Sequence, residues 1–181
     1  MPESTLPPLA LIRFSALGDV ASAARIAYEA RQRWPQRRIV FVTHARYRPV
    51  LEAVAAPIEI VGFGETIQSV WALAQFLRSD RFDVIDLHRS LRTRLLAALT
   101  PTLNWRRLDK QKRKRRALLA GDKLAFPPAY RVQSAQAELA GLTLSNQPWF
   151  VGRDTAPADV VLVPGAAWPE KRWPCESFAA L

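Results

Sequence analysis

Short apolar runs alternate with longer amphipathic segments along most of the chain. The runs favour buried β-strands, whereas segments such as 65–79 repeat apolar residues at three- and four-residue steps, which is typical of helices. The predicted strands are 9–14, 38–43, 58–63, 82–87 and 103–108, and the predicted helices are 20–34, 47–55, 65–79, 90–99 and 131–142. This alternation predicts βαβ crossovers and therefore an α/β fold, with a mostly parallel sheet covered by helices on both faces.

The last part of the sequence predicts the start of another unit. An apolar run at 160–163 leads into a turn at Pro164-Gly165, and Lys171-Arg172 follow between two tryptophans. A strand, a loop and a helix start in this order suit an anion such as a phosphate. We therefore expect one whole domain plus the opening of a second, joined by a candidate linker at 146–159.

Composition narrows the class of protein. With 181 residues, 49% of them hydrophobic, the chain can bury a sizeable core. A single cysteine, Cys175, excludes an internal disulfide, and only two histidines, His44 and His88, argue against a structural zinc site. The sequence contains no apolar run close to the roughly 18–20 residues of a membrane span, and its start lacks the basic character of a secretory signal. These features predict a soluble cytoplasmic protein.

Positive charge is concentrated in one stretch. The net charge is +10, and residues 106–116 hold eight basic residues and one acid, a local surplus of +7. Such a field attracts polyanions, although a solvated loop is an equally good explanation of the charge alone. A non-catalytic basic module that binds anionic glycolipid, a membrane surface or nucleic acid is thus one candidate. Binders of single-stranded nucleic acid interleave aromatics with positive charge, and here only Trp105 at the edge is aromatic, so nucleic acid is not the expected partner.

Polar loops follow the first and fourth predicted strands, where parallel sheets bind ligands. Gly18 permits a tight turn and close approach of a ligand to the backbone. Asp19 has two possible roles: it caps the following helix, or it takes a proton from an attacking hydroxyl. The sequence has neither a G-x-G-x-x-G fingerprint nor a P-loop signature.

Further candidates follow the fourth strand and the final turn. Arg89 and Arg92 are three residues apart, so on a helix they share a face and can grip a phosphate or carboxylate. His88 is either a proton carrier or a structural residue. Lys171 either neutralises a diphosphate leaving group or belongs to a surface turn on which tryptophans pack.

Three segments together resemble glycosyltransferase family 9, the ADP-heptose:lipopolysaccharide heptosyltransferases. They are LIRFSALGDV at 11–20, FDVIDLHRSLR at 82–92 and PGAAWPEKRWP at 164–174. The resemblance covers the acceptor-side domain of that family and the first strand and loop of its donor-side domain. It implies the GT-B architecture, in which two Rossmann-like halves face each other across a cleft.

This resemblance implies a function for each segment. Residues 1–150 would be an acceptor-side Rossmann-like domain, and 151–181 a linker and first strand-loop of an incomplete nucleotide-sugar domain. The implied reaction is an inverting transfer of heptose from ADP-heptose to a hydroxyl of the lipopolysaccharide inner core, with Asp19 as general base. Lys171 and Gly165 would bind the donor phosphates. The residues implied on the acceptor side are Gly18, Arg89, Arg92, Arg94, Arg113 and Arg115.

The resemblance also implies conditions for activity. No cofactor or metal is expected, and the protein would work at the cytoplasmic face of the inner membrane, in peripheral contact with its anionic surface. Residues 21–24 are Ala-Ser-Ala-Ala, where the family often has a Thr-Thr-Pro-like segment, which leaves the particular acceptor open. Because most of a donor domain is missing, we expect little transfer from the 181-residue chain alone. A transferase using another sugar nucleotide on the same fold is the remaining alternative.

Overall fold

The computed structural model describes residues 6–109, 116, 120–121, 129–151, 172, 174 and 176–177, and strands alternate with helices through them. The strands are β1 Leu9–Ile12, β2 Ile39–His44, β3 Glu59–Phe63, β4 Asp83–Asp86 and β5 Trp105–Arg107. The helices are α1 Leu17–Arg33, α2 Arg48–Glu52, α3 Ile67–Ser79, α4 Leu91–Leu99 and α5 Ala129–Ala140. One turn of 3-10 helix, Ala45–Tyr47, leads into α2.

The strands form one sheet in the order β3–β2–β1–β4–β5, and every neighbouring pair is parallel. Strand β1 is central, with Leu11 opposite Phe41 of β2 on one side and Ile85 of β4 on the other. All residues of β1 and β2 are buried, as expected for a parallel sheet covered on both faces. The predicted Rossmann-like α/β fold is confirmed.

Alternation along the strands creates two hydrophobic cores. Leu9 and Leu11 pack with α1, α2 and α5 on one face of the sheet. Ala10 and Ile12 point to the other face and pack with α3 and α4. Helices α1, α2 and α5 therefore cover one face of the sheet, and α3 and α4 cover the other. Because all strands are parallel, the loops that follow them lie at the same edge of the sheet.

Several boundaries differ from those predicted. Helix α1 begins at Leu17 rather than at residue 20, because its N-cap, Ala16, is still in extended backbone. Helix α2 is shorter than 47–55, since its first turn is 3-10 helix. Helix α5 ends before Gly141, whose φ of +72° is readily adopted by a residue without a Cβ.

A buried carboxylate holds the segment that follows α5. Glu29 of α1 is buried and accepts hydrogen bonds from the backbone N–H and the hydroxyl of Ser145, both at 2.9 Å. Farther along, the Ala55 N–H donates to the Trp149 carbonyl oxygen at 2.8 Å. Residues 146–151, the first part of the predicted linker, are therefore packed against the end of α2.

The chain divides into two compact units, 1–151 and 152–181. The strand predicted at 160–163 lies outside the described residues.

Candidate functional site

The carboxyl edge of the sheet has a topological switch point between β1 and β4. The chain runs from β1 outward to β2 and β3, and then returns to β4 on the other side of β1. The loops after β1 and β4 therefore leave in opposite directions and open a crevice between them. Ligands of open α/β sheets bind in this kind of crevice.

Asp19 lies beside this crevice in the first turn of α1, and its side chain is 59% exposed. Its Oδ2 forms an ion pair with Nη2 of Arg13, the first residue after β1. The other terminal nitrogen of Arg13, Nη1, donates to the Leu87 carbonyl oxygen at 2.5 Å. Arg13 is mostly buried and so joins the loop after β4 to the start of α1. The result is an accessible carboxylate whose position is fixed by a cation.

The capping role considered for Asp19 is wrong. The N-cap of α1 is Ala16, which makes no side-chain cap hydrogen bond, and Asp19 is the third residue of the helix. An acid in this first turn still interacts favourably with the helix dipole. Gly18 permits a tight turn but does not form one, because it is the second residue of α1. A Cβ placed on Gly18 meets nothing within 4 Å, so the surface beside Asp19 is open.

The end of β4 carries a buried carboxylate that the sequence analysis missed. Asp86 is fully buried, and its Oδ1 accepts hydrogen bonds from the backbone N–H groups of His88 at 3.0 Å and Arg89 at 2.6 Å. Its Oδ2 lies 3.9 Å from Nε of Arg107 on β5. These contacts fix the loop after β4. The sequence signal for this role was an aspartate at the end of an apolar strand.

Arg89 does not lie on a helix, so the predicted shared face with Arg92 is wrong. Helix α4 begins at Leu91, because Ser90 and Thr93 form a reciprocal capping box that starts the helix there. Arg89 precedes this box with a φ of +50°. Its Nη1 donates to the Leu108 carbonyl oxygen and to Asp109, both at 3.1 Å.

The remaining arginines predicted after β4, Arg92 and Arg94, are exposed on α4. Within the part of the chain that the structure describes, neither forms an ion pair, in contrast to Arg89. The structure thus separates the three arginines into one that ties the β4 loop to the end of β5 and two that present their charge to solvent.

Aromatic rings pack together where the strands end at the carboxyl edge of the sheet. Phe14 is buried and stacks on Phe63 with ring centroids 4.1 Å apart. His88 lies 5.2 Å from Phe14 on another side, so the loops after β1, β3 and β4 meet in one cluster. His44 also borders Phe14, and its Nδ1 donates to the Phe63 carbonyl oxygen at 2.9 Å.

Part of the basic stretch 106–116 has structural partners. Arg106 donates from Nη1 to the Leu139 carbonyl oxygen of α5 at 3.1 Å. The Arg107 guanidinium lies over the ring of Trp105, 5.4 Å from its centroid, and near Asp86. The predicted site residues that lie outside the described residues are Arg113, Arg115, Gly165 and Lys171.

The described residues offer neither a metal cluster nor a membrane-spanning helix. No group of three or more His, Cys, Asp or Glu side chains there is placed to hold a metal ion. No helix among the same residues is long and apolar enough to cross a membrane.

Comparison with solved structures defines the fold as that of the family 9 glycosyltransferases, with their Rossmann-like sheet. The glycosyl transferase family 9 structure from Veillonella parvula superposes with a TM-score of 0.68 and 21% identity, over 96% of this chain and 58% of that one. The Escherichia coli heptosyltransferase WaaC with ADP gives a TM-score of 0.58 and 17% identity, over 93% of this chain and 61% of that one.

The structure of WaaC with ADP-2-deoxy-2-fluoro heptose gives a TM-score of 0.60 and 17% identity, over 93% of this chain and 62% of that one. The chain therefore spans about three fifths of the length of these solved structures. No protein-family model and no curated protein matches the sequence. The similarity to these proteins is one of fold, because sequence identities of 17% to 21% are low.

Proposed function

We propose that the chain is the acceptor-side part of an inverting glycosyltransferase that moves heptose from ADP-heptose to a hydroxyl of the lipopolysaccharide inner core. The observation that carries the proposal is the exposed Asp19 carboxylate at the switch point, held by Arg13. It is supported by the fold shared with WaaC, a heptosyltransferase whose structures contain ADP and a fluorinated ADP-heptose.

In this mechanism Asp19 acts as the general base. The acceptor hydroxyl oxygen forms a bond to the anomeric carbon of heptose, while the bond from that carbon to the ADP oxygen breaks and ADP leaves. The hydroxyl proton passes to the Asp19 carboxylate, so a single displacement inverts the anomeric configuration. Arg13 orients the carboxylate, since it contacts Oδ2 and leaves Oδ1 to accept the proton.

The positive charge of the chain suits the proposed acceptor. The exposed Arg92 and Arg94, together with the Lys- and Arg-rich segment that includes Arg113 and Arg115, complement the carboxylates and phosphates of the inner core and lipid A. Arg89 and Gly18 border the same edge. The acceptor-side domain is assigned to 1–150. No cofactor or metal takes part in the proposed reaction, which takes place at the cytoplasmic face of the inner membrane.

The donor phosphates are assigned to Gly165 and Lys171, within the segment 151–181 that we take as a linker and first strand-loop of a donor-side unit. A lysine there would offset the charge that develops on the departing diphosphate. The chain covers only about three fifths of WaaC, so further donor contacts are expected from outside it.

The test is a transfer assay on the protein as purified from its source cell, with ADP-heptose as donor and Kdo-lipid A as acceptor. ADP release and the mass of the glycolipid product are measured. We expect Asp19→Asn to lower kcat by about 10²- to 10⁴-fold, the usual contribution of a general base, with little change in acceptor affinity. Glu52→Gln is the matched control, since Glu52 is also an exposed carboxylate paired with an arginine.

Two results would overturn the proposal. If Asp19→Asn and Glu52→Gln transfer heptose equally well, Asp19 is not the base. If the protein releases no ADP but binds RNA tightly with a steep salt dependence, the basic module considered from the sequence is the better explanation.

A further inference from the structure

The outer surfaces of α3 and α4 expose large apolar side chains. Leu91, the first residue of α4, is 79% exposed, and Trp71 of α3 is 50% exposed. Leu95 and Ile67 lie one helical turn from these two residues and are exposed as well. Both helices start at the carboxyl edge of the sheet and pack on the same face, so the two exposed pairs lie at the same end of this helical layer.

Leu91 and Leu95 form a second apolar stripe on α4, whereas Ile67 and Trp71 lie along the margin of the core stripe of α3, about 70° and 110° around the helix from its centre. The core side of α4 consists of Thr93 and Leu96, which are buried. At 100° per residue, Leu91 lies about 140° to 160° around the helix from both of them, so it projects away from the sheet. A helix that is apolar on its outer side as well as its inner side is typical of a surface that meets another apolar phase.

Charge within helices α3 and α4 has one sign, and the exposed acids Glu65 and Asp80 stand just before and just after α3. Helices α3 and α4 contain no aspartate or glutamate, and they carry Arg78, Arg92 and Arg94, all exposed. The helices on the opposite face differ, because each of them contains at least one acid: Asp19 and Glu29 in α1, Glu52 in α2 and Glu138 in α5. The outer surface of α3 and α4 is therefore apolar and cationic, whereas the other face is of mixed charge.

We propose that this α3–α4 face docks on an anionic phospholipid bilayer. The exposed leucines, Ile67 and Trp71 enter the boundary between headgroups and acyl chains, and the arginines contact lipid phosphates. Tryptophan is itself favoured at that depth. A second copy of the chain fits less well, because a two-fold contact of this face would bring like charges together. The proposal deepens the proposed function by naming the face that meets the membrane, and rests on that function for the presence of the acceptor there.

The proposed membrane-binding face is not the part of the chain with the highest charge. The stretch 106–116 has the largest charge surplus, yet Arg106 and Arg107 are engaged with α5 and with β4. Arg92 and Arg94 have no such engagement among the described residues, and they flank exposed leucines. Charge together with apolar exposure is what binding at a bilayer interface requires.

The test is co-sedimentation of the full chain with vesicles of phosphatidylcholine containing about 30% phosphatidylglycerol, against vesicles of phosphatidylcholine alone. We expect binding to the anionic vesicles only. Replacing both Arg92 and Arg94 by Gln should weaken binding about 25-fold, at roughly fivefold for each charge. Leu91→Gln with Leu95→Gln should weaken it about tenfold or more while leaving the salt dependence unchanged.

A matched control removes the same charge elsewhere. Arg46→Gln with Arg81→Gln changes two exposed arginines outside α3 and α4, and should weaken binding less than about threefold. If this control weakens binding as much as the Arg92 and Arg94 pair, overall charge governs binding and the proposed face is wrong. The proposal is equally overturned if the leucine variant binds as the unchanged chain does, since the stretch 106–116 then suffices.

A fluorescent label reports on the face directly. In a Cys175→Ser background, a polarity-sensitive dye on Leu95→Cys should shift to the blue on addition of anionic vesicles, whereas the dye on Glu52→Cys should not. Equal shifts at both positions, or a dimer in light scattering that the leucine variant abolishes, would contradict bilayer docking. Neither experiment needs donor or acceptor, so vesicle binding and heptose transfer are tested separately, and each of the two proposals is refuted by its own result.

Discussion

Replacement of Asp86 offers the sharpest test of how the crevice is held in place. The Oδ1 atom of this buried carboxylate accepts two backbone hydrogen bonds, and each bond to a charged acceptor contributes about 1.5–3 kcal/mol. Their loss in Asp86→Ala would therefore cost about 3–6 kcal/mol. Part of this loss of stability is offset, because the variant no longer buries a negative charge. In the unchanged protein the Asp86 Oδ2 atom lies 3.9 Å from Nε of Arg107. We expect a net loss of about 2–4 kcal/mol.

Asp86→Asn separates the charge from the geometry. Its carbonyl oxygen can still accept both hydrogen bonds, now without charge assistance, and the buried charge is gone. We expect a loss of about 1 kcal/mol. The free energy of unfolding is measured by urea titration, followed by circular dichroism and by tryptophan fluorescence, and the m value should stay constant. Glu52→Ala, at an exposed carboxylate, serves as control and should change stability by less than about 0.5 kcal/mol.

Hydrogen exchange gives a second, local measurement. In Asp86→Ala the amides of His88 and Arg89 should lose protection, while those in the middle of α1 keep theirs. If Asp86→Ala costs less than about 1 kcal/mol, or if Asn is as harmful as Ala, then Asp86 does not hold the loop in the manner described.

Three further predictions concern other parts of the first unit. Glu29→Ala should cost about 2–4 kcal/mol in urea unfolding, because it leaves the Ser145 N–H and hydroxyl without their buried acceptor; a neutral outcome would show that the segment after α5 is not anchored there. Arg38 lowers the pKa of Glu59 through a hydrogen bond, so this pair stabilises the fold above the unfolded pKa of about 4.3 and stops doing so as the pH falls through the lower folded value. Both side chains are 42% exposed, so Glu59→Gln should cost less than about 1 kcal/mol at pH 7 and nothing near pH 2, and a constant difference across this range would contradict the assignment. Gly141→Ala should lower stability by about 1 kcal/mol because of its positive φ, and an unchanged thermal midpoint would count against this.

The sheet and the edge that carries the site were predictable because both depend on local pattern. Runs such as 9–14 and 38–43 are apolar at every position or nearly so, as strands buried on both faces require. Once the strands are parallel, the loops after them must share an edge, so Asp19 and the loop at His88 were expected together. The order of the strands in the sheet came only from the structure, since several strand orders satisfy the same hydrophobic pattern.

The contacts within the site could not be predicted from the sequence, because they join residues that are far apart along the chain. Nothing local shows that Arg13 reaches both Asp19 and Leu87, a residue 74 positions later. The position of Arg89 was different, since the predicted helix at 90–99 and the good N-cap Ser90 already placed the arginine outside the helix, and its pairing with Arg92 on one helix face did not agree with those bounds. A strand-ending aspartate such as Asp86 gives a weaker signal, because its role depends on which amides the next turn brings to it.

The central position of β1 also sets the order in which this protein can fold. Strand β1 pairs with β2, about thirty residues later, and with β4, more than seventy residues later. Loop closure over the longer distance is slower, so the β1–β2–β3 side is expected to assemble first. The bond from Arg13 to Leu87 cannot form until β4 has joined. During synthesis, Asp19 leaves the ribosome early but acquires its fixed position only after nearly seventy more residues, so the crevice is among the last parts of the sheet edge to become ordered.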